Sequence, residues 1–248
     1  MSKSFPAHIE MLPLAQQELL PELAAAPRMG LVLYGGTAIA LRLGHRQSVD
    51  FDFFTDGNLP QPADLRASFP FLRHSMVLQN TPNTLSVSVP CETDESPVKV
   101  SFFGEIDFGR VGEPAIAEGT SLEVASLADL MAIKLKVIVQ RIEAKDYSDI
   151  AAMIRAGVNL AEGLAAARIL FGNEFQPSES LKALAYFEGG DLNTLSAIDR
   201  QVLVAAVRSV QALPSISLLS RSLSANKLHT ERLGPAETPD DTASLPFP

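Results

Sequence analysis

Two short stretches near the start of the chain carry the sharpest hydrophobic patterning. Leu31-Val32-Leu33-Tyr34 is continuously apolar and runs into Gly35-Gly36-Thr37. Val49-Asp50-Phe51-Asp52-Phe53-Phe54 alternates apolar and acidic positions. This pattern predicts a strand over 30–34, a short helix from Thr37 to Leu43 stopped by Gly44, and a second strand over 49–54. Upstream, residues 7–26 read as one amphipathic helix ending near Pro27. Downstream, Thr55-Asp56-Gly57-Asn58 is turn chemistry, and Pro62-Ala63-Asp64-Leu65 opens another short helix. Three β-rich segments follow at Ser75–Gln79, Thr84–Val89 and Val98–Phe103, the first two joined through Thr81-Pro82-Asn83 as a hairpin.

From Ser126 the chain turns helical. Ser126-Leu127-Ala128-Asp129 resembles a capping box with Asp in place of the usual Glu or Gln, and its helix is expected to reach about Glu143. A second helix is expected from Asp146 or Tyr147, and three more over Leu160–Phe171, Ser178–Phe187 and Ser196–Val210. Past Ser222 the residues are rich in Pro, Thr, Asp and Ser without a periodic apolar face, which predicts a disordered tail. The expected fold is α+β: a small mixed β-sheet core with helices on one face over 1–120, a helical part over 121–221, and the tail over 222–248.

The alternation along 49–54 has a chemical consequence. Side chains of a strand alternate faces, so Asp50 and Asp52 point one way while Phe51 and Phe53 enter the core. Two neighbouring carboxylates repel unless a cation sits between them, and Mg²⁺ takes one or two carboxylates together with substrate phosphates. Gly35 and Gly36 let a phosphate approach the backbone at a helix start, where free N–H groups and the helix dipole favour anions. These pieces describe a site for a metal-bound nucleoside triphosphate.

The arrangement resembles the polymerase-β-like nucleotidyltransferases, whose signature is Gly-Gly or Gly-Ser, a short helix, then Asp-x-Asp on a strand. More closely, the run from Gly35 through Arg46 to Phe54 resembles the AbiEii-type toxin nucleotidyltransferase family, with its Gly-Gly-Thr-Ala stretch, an Arg, and a Ser/Thr-x-Asp-x-Asp-Phe-Phe ending. The resemblance covers roughly residues 28–155 and extends to two later segments, Ala125–Lys136 and Lys145–Ile150. It implies a nucleotidyltransferase core in which Asp50 and Asp52 hold Mg²⁺ or Mn²⁺. Gly35, Gly36, Thr37 and Arg46 receive the nucleotide, Lys134 contacts the triphosphate, and Asp146 assists metal or acceptor chemistry. It further implies a toxin paired with an antitoxin or operon partner, acting on RNA or protein.

Lys134 also stands out on its own. At about 100° per residue it shares a face with Leu127, Leu130, Met131 and Ile138, whereas Lys136 falls on the opposite, solvated face. An ammonium in an apolar stripe needs a partner: a phosphate, an aspartate, or water reached by snorkelling. On residue type alone, Lys145–Ile150 reads as a helix start, with Asp146 as N-cap and Asp149 in the first turn.

One position departs from the polymerase-β-like pattern. A third carboxylate belongs on the neighbouring strand, yet Lys99, Ser101 and Phe103 share that face, and Glu105 and Asp107 lie beyond it. Without it, activation of an acceptor hydroxyl loses its usual base.

Composition bounds these readings. At 46% hydrophobic and 20% charged over 248 residues, the chain is ordinary for a globular protein. No apolar run approaches the roughly 18 residues that span a bilayer, and no basic-then-apolar leader opens the chain, so no membrane partner and a bacterial-type cytoplasm are expected. The single Cys91 excludes an intramolecular disulfide. A net charge of −9 argues against broad nucleic-acid binding, although a local basic patch can serve RNA. Arg42, His45 and Arg46 crowd the first motif and Lys134, Lys136, Arg141 and Lys145 a later segment. Two functions follow: a Mg-dependent nucleotidyltransferase moving a nucleoside monophosphate onto a hydroxyl of RNA or protein, or a catalytically reduced nucleotide-binding or interaction module of the same fold.

Overall fold

The structure is a computed structural model that describes residues 3–91 and 96–225. It opens with β1 (Ser4–Phe5). The helix expected over 7–26 is interrupted, because prolines at 13 and 21 remove backbone donors within it. Only α1 (Leu14–Leu19) is α-helical; tight 3-10 turns at Ile9–Met11, Leu20–Leu23 and Ala26–Met29 carry the rest. The apolar spacing still works, burying Leu12, Ala15, Leu19 and Leu23.

Then come β2 (Val32–Tyr34), α2 (Gly35–Leu43) and β3 (Asp50–Phe54). Gly44 closes α2 in the left-handed conformation at φ +60°, as a helix-stopping glycine does. After α3 (Pro62–Ser68), β4 (Met76–Thr81), β5 (Thr84–Val89) and β6 (Val98–Phe103) fall close to the expected spans. Two further strands, β7 (Ala115–Ala117) and β8 (Glu123–Val124), have too few residues to show a period in the sequence.

All eight strands join one mixed sheet in the order β1-β7-β8-β2-β3-β6-β5-β4. β3 lies at its middle, antiparallel to β2 and parallel to β6. One face of this centre presents Phe51, Phe53, Val100 and Phe102 to the core, where Phe69 packs on Phe102 with ring centroids 5.1 Å apart. The opposite face presents Asp50, Asp52 and Phe54.

The helical part comprises α4 (Leu127–Gln140), α5 (Ala144–Arg155), α6 (Leu160–Phe171), α7 (Pro177–Ala185) and α8 (Ala197–Ser209). Ser126 caps α4 as expected, its Oγ accepting from the Asp129 amide at 3.1 Å. The chain turns extended at Arg141, so α4 ends before Glu143, and α5 starts at Ala144 rather than at Asp146 or Tyr147. Asp146 is consequently inside the first turn of α5 and not its N-cap. Gly163 lets α6 approach α4 closely, since a Cβ there would stand 2.4 Å from Met131 Cγ. Among the described residues no helix is long and apolar enough to cross a membrane.

The range expected to be a disordered tail begins with four packed residues. Leu223 is fully buried and its amide donates to Asp56 Oδ1 at 2.9 Å. Ser224 Oγ and the Ala225 amide donate to the two carboxylate oxygens of Glu123, at 2.6 and 2.8 Å. The remainder, 226–248, lies outside the described residues.

Candidate active site

Asp50 and Asp52 stand on one face of β3, half-buried, while Phe51 and Phe53 between them are fully buried. Thr37, buried in the first turn of α2, donates its hydroxyl to the Asp50 carbonyl and ties the Gly-Gly turn to the strand. Gly35 lies at φ +74°, and a Cβ there would come within 2.6 Å of Asp52 Oδ2. A Cβ on Gly36 would come within 2.8 Å of both an Arg46 guanidinium nitrogen and Ser48 Oγ. Both glycines therefore leave room for polar atoms that converge on the start of α2, where unpaired backbone N–H groups favour an anion.

Burial pushes the Asp52 carboxyl above the usual carboxylate range, and the Asp50 charge adds to the rise; Lys99, Lys134 and Arg141 oppose it. Two acids on one strand face, one of them largely withdrawn from water, suit a divalent ion, which relieves that repulsion. Among the described residues no group of three or more His, Cys, Asp or Glu side chains gathers to hold a metal. Two carboxylates are the kind of donor set that suits an ion taking its remaining ligands from phosphate and water, as Mg²⁺ does.

The later motif builds a buried ion-pair network whose cations Lys134 and Arg141 act on Asp52. Lys134 is buried in α4, and its Nζ donates to Asp146 Oδ1 at 2.6 Å and lies 2.7 Å from Asp149 Oδ2. Its ammonium does not snorkel to water; it donates to Asp146 and pairs electrostatically with Asp149, both buried. Arg46 grips Asp149 with two bonds, Nε to Oδ1 at 2.6 Å and a terminal nitrogen to Oδ2 at 2.8 Å. His45 Nε2 lies 2.7 Å from the same Oδ1. Arg141 clamps Asp146 from outside at 2.8 and 3.1 Å, with its side chain about half exposed. Burial tends to raise the Asp149 carboxyl, but hydrogen bonds from His45 and Arg46 and the Lys134 charge outweigh it and hold the group far below its ordinary value. Asp146 is lowered likewise, its burial overcome by Arg141 and Lys134.

The structure therefore brings Gly35, Gly36, Thr37, Arg46, Asp50, Asp52, Lys134 and Asp146 around one end of the sheet. Asp146 faces two cations. Asp149, expected only to stabilise a helix turn, is the hub that fixes Arg46 and Lys134. Arg42 lies outside the constellation: its guanidinium donates to the Val124 and Ala125 carbonyls and covers the Phe5 ring. Lys136 is half-buried rather than freely solvated, paired with Glu174 at 3.1 Å and lying over the Phe171 ring. At the position of the third carboxylate, Ser101 pairs in register with Asp52, is fully buried, and accepts from Ser86 Oγ at 3.0 Å.

Comparison with known proteins bears on the family and the fold. A family model described as nucleotidyl transferase AbiEii toxin, type IV TA system, matches residues 19–215, well over half of the chain. An uncharacterized protein of Aquifex aeolicus is 30% identical over 158 residues, covering 63% of this chain and 73% of that protein. A solved structure of a candidate nucleotidyltransferase from H. pylori shares the fold, with a TM-score of 0.51 at 19% identity over 78% of this chain and 90% of that one.

Proposed function

The chain belongs to the AbiEii nucleotidyl transferase toxin family, and from that premise we propose that it moves a nucleoside monophosphate from a nucleoside triphosphate to a hydroxyl of RNA or protein. The observation that carries this reading is the pair Asp50 and Asp52 on one strand face against the glycine at 35, whose absent side chain leaves space at Asp52 Oδ2. Asp50 and Asp52 would hold Mg²⁺ or Mn²⁺, which when bound supplies charge neutralisation for the phosphates. The backbone at Gly35, Gly36 and Thr37 receives phosphate oxygens at the start of α2. Arg46, immobilised by Asp149 and the Gln47 carbonyl, holds one terminal nitrogen beside Gly36, where the N–H not used by Asp149 can meet a phosphate oxygen.

Lys134 offers an N–H not spent on Asp146, and Arg141 the exposed side of its guanidinium, to charge developing on the departing pyrophosphate. Phosphoryl-type transfer rests mainly on positioning and electrostatics, so cations locked by buried aspartates cost little reorganisation during reaction. Asp146, held ionised between two cations, serves to position them. The family description names a toxin of a type IV TA system, and a toxin role with a cognate antitoxin or operon partner is part of the proposal.

A second reading, a catalytically reduced nucleotide-binding module, draws on Ser101, where no carboxylate stands to take the acceptor's proton. One experiment separates them: purified protein with each α-labelled triphosphate, Mg²⁺ and total RNA. Label entering RNA or protein supports transfer. Tight nucleotide binding with no label transferred to either supports the second reading.

A further inference from the structure

Beyond Asp52 along β3, a cleft of about 420 Å³ opens between the sheet and α4, walled by Phe54, Phe108, Val137 and Phe171, with Asp107, Gln140 and the Lys136–Glu174 pair as its polar lining. We propose that this cleft takes the base of the bound nucleotide and selects a base that carries an exocyclic amino group. The inference rests on the nucleotide reading above and names the part of the nucleotide that reading leaves unplaced.

Continuity places the cleft beside the phosphate site. Phe54 shares a strand face with Asp50 and Asp52, and two residues of strand advance about 6.6 Å. On the facing helix, Val137 follows Lys134 by three residues and occupies the neighbouring position one turn on. Floor and wall of the cleft thus extend the same two elements that hold the carboxylates and the buried lysine. A nucleotide with its phosphates at Gly35 and Gly36 has its base directed along this path.

The lining fits a flat aromatic ligand. Phe108 meets Phe54 and Phe171 edge-on, with centroids 6.4 and 5.4 Å apart. Lys136, itself part of the lining, lies over the Phe171 ring 4.2 Å from its centroid and pairs with Glu174, so the stacking surface left to a base is that of Phe54 and Phe108. Bases stack on such side chains without regard to identity. Identity has to come from the edge, where Asp107 is exposed and, when ionised, can only accept hydrogen bonds. The exocyclic amino groups of adenine, cytosine and guanine can donate to a carboxylate, whereas uracil carries a carbonyl oxygen where cytosine has its amino group and keeps only its ring N3–H as a donor.

The test compares equilibrium binding of the four nucleoside triphosphates with that of inorganic tripolyphosphate, a probe without a base, all with Mg²⁺. Three proteins are used: wild type, Val137→Trp, which fills the half-buried wall, and Asp107→Asn, an exposed change that leaves the core untouched. Wild type is expected to bind triphosphates tighter than tripolyphosphate, with the uridine nucleotide weakest. Val137→Trp should cost about tenfold or more for every nucleotide, in the range of base stacking, and leave tripolyphosphate unchanged. Asp107→Asn should abolish the discrimination against uridine. Unchanged nucleotide affinity in folded Val137→Trp, or an unchanged uridine preference in Asp107→Asn, overturns the base site. Failure of wild type to bind tripolyphosphate instead removes the phosphate reading itself.

Discussion

A Cβ on Gly35 would stand 2.6 Å from Asp52 Oδ2, closer than real Cβ contacts come. Glycine at 35 is thus a condition for Asp52 to keep its place, and φ of +74° adds a second reason. Gly35→Ala should destabilise the fold by about 1–3 kcal/mol through backbone strain and displace the carboxylate. Chemical denaturation reads the first effect; loss of nucleotide affinity reads the second.

Lys134 and Lys136 separate a buried cation from a partly exposed one. Lys134→Met keeps the stem's volume but strands Asp146 and Asp149 beside fewer positive charges, so we expect a loss of about 3–5 kcal/mol. Lys136→Met removes a pair whose Glu174 side chain is 81% exposed, and should change stability by less than about 1 kcal/mol. Urea unfolding of both variants checks the contrast; equal effects would contradict the network.

Acid should unlock the same network. Asp146 and Asp149 sit below their unfolded value of 3.8, so the unfolded chain binds more protons in acid. Their stabilisation is fully present above about pH 5 and is lost as pH falls through the lowered folded values. Asp52, raised in the fold, acts in the opposite sense: the folded protein takes up its proton first on acidification. Melting temperatures across pH 2 to 7 should therefore fall on the acid side, and less steeply in Asp149→Asn, which lacks the strongest contributor.

The segment at 220–225 should matter to stability. Leu223 is fully buried, so Leu223→Ala should cost about 2–5 kcal/mol by denaturant titration. A change below about 0.5 kcal/mol would mean that this docking contributes nothing.

The local half of the site was legible in the sequence because its signals are short: two glycines before a helix, and carboxylates alternating with Phe51 and Phe53. Lys134 announced itself as a charge in an apolar stripe, although only the structure shows that its partners lie 12 and 15 residues on, at Asp146 and Asp149. The role of Asp149 was hidden because it clasps Arg46 across 103 residues of sequence, and no periodicity reports such a pairing. β1, β7 and β8 were missed because strands of two or three residues carry no period, and prolines broke the single helix expected over 7–26. The packed residues 222–225 were missed because one leucine among serines is not a pattern.

The most direct measurement is calorimetric titration of a nucleoside triphosphate into wild type and the double variant Asp50→Asn with Asp52→Asn, each with Mg²⁺ and with chelator. Burial and the Asp50 charge raise the Asp52 carboxyl, so neutralising the pair should leave the melting temperature unchanged or higher. Wild type should bind in Mg²⁺ and lose at least about tenfold in affinity with chelator, while the folded double variant binds weakly in both, as expected when two carboxylates hold the ion. Wild-type affinity in the double variant, or binding indifferent to chelator, would contradict the assignment of Asp50 and Asp52 as the metal–nucleotide site.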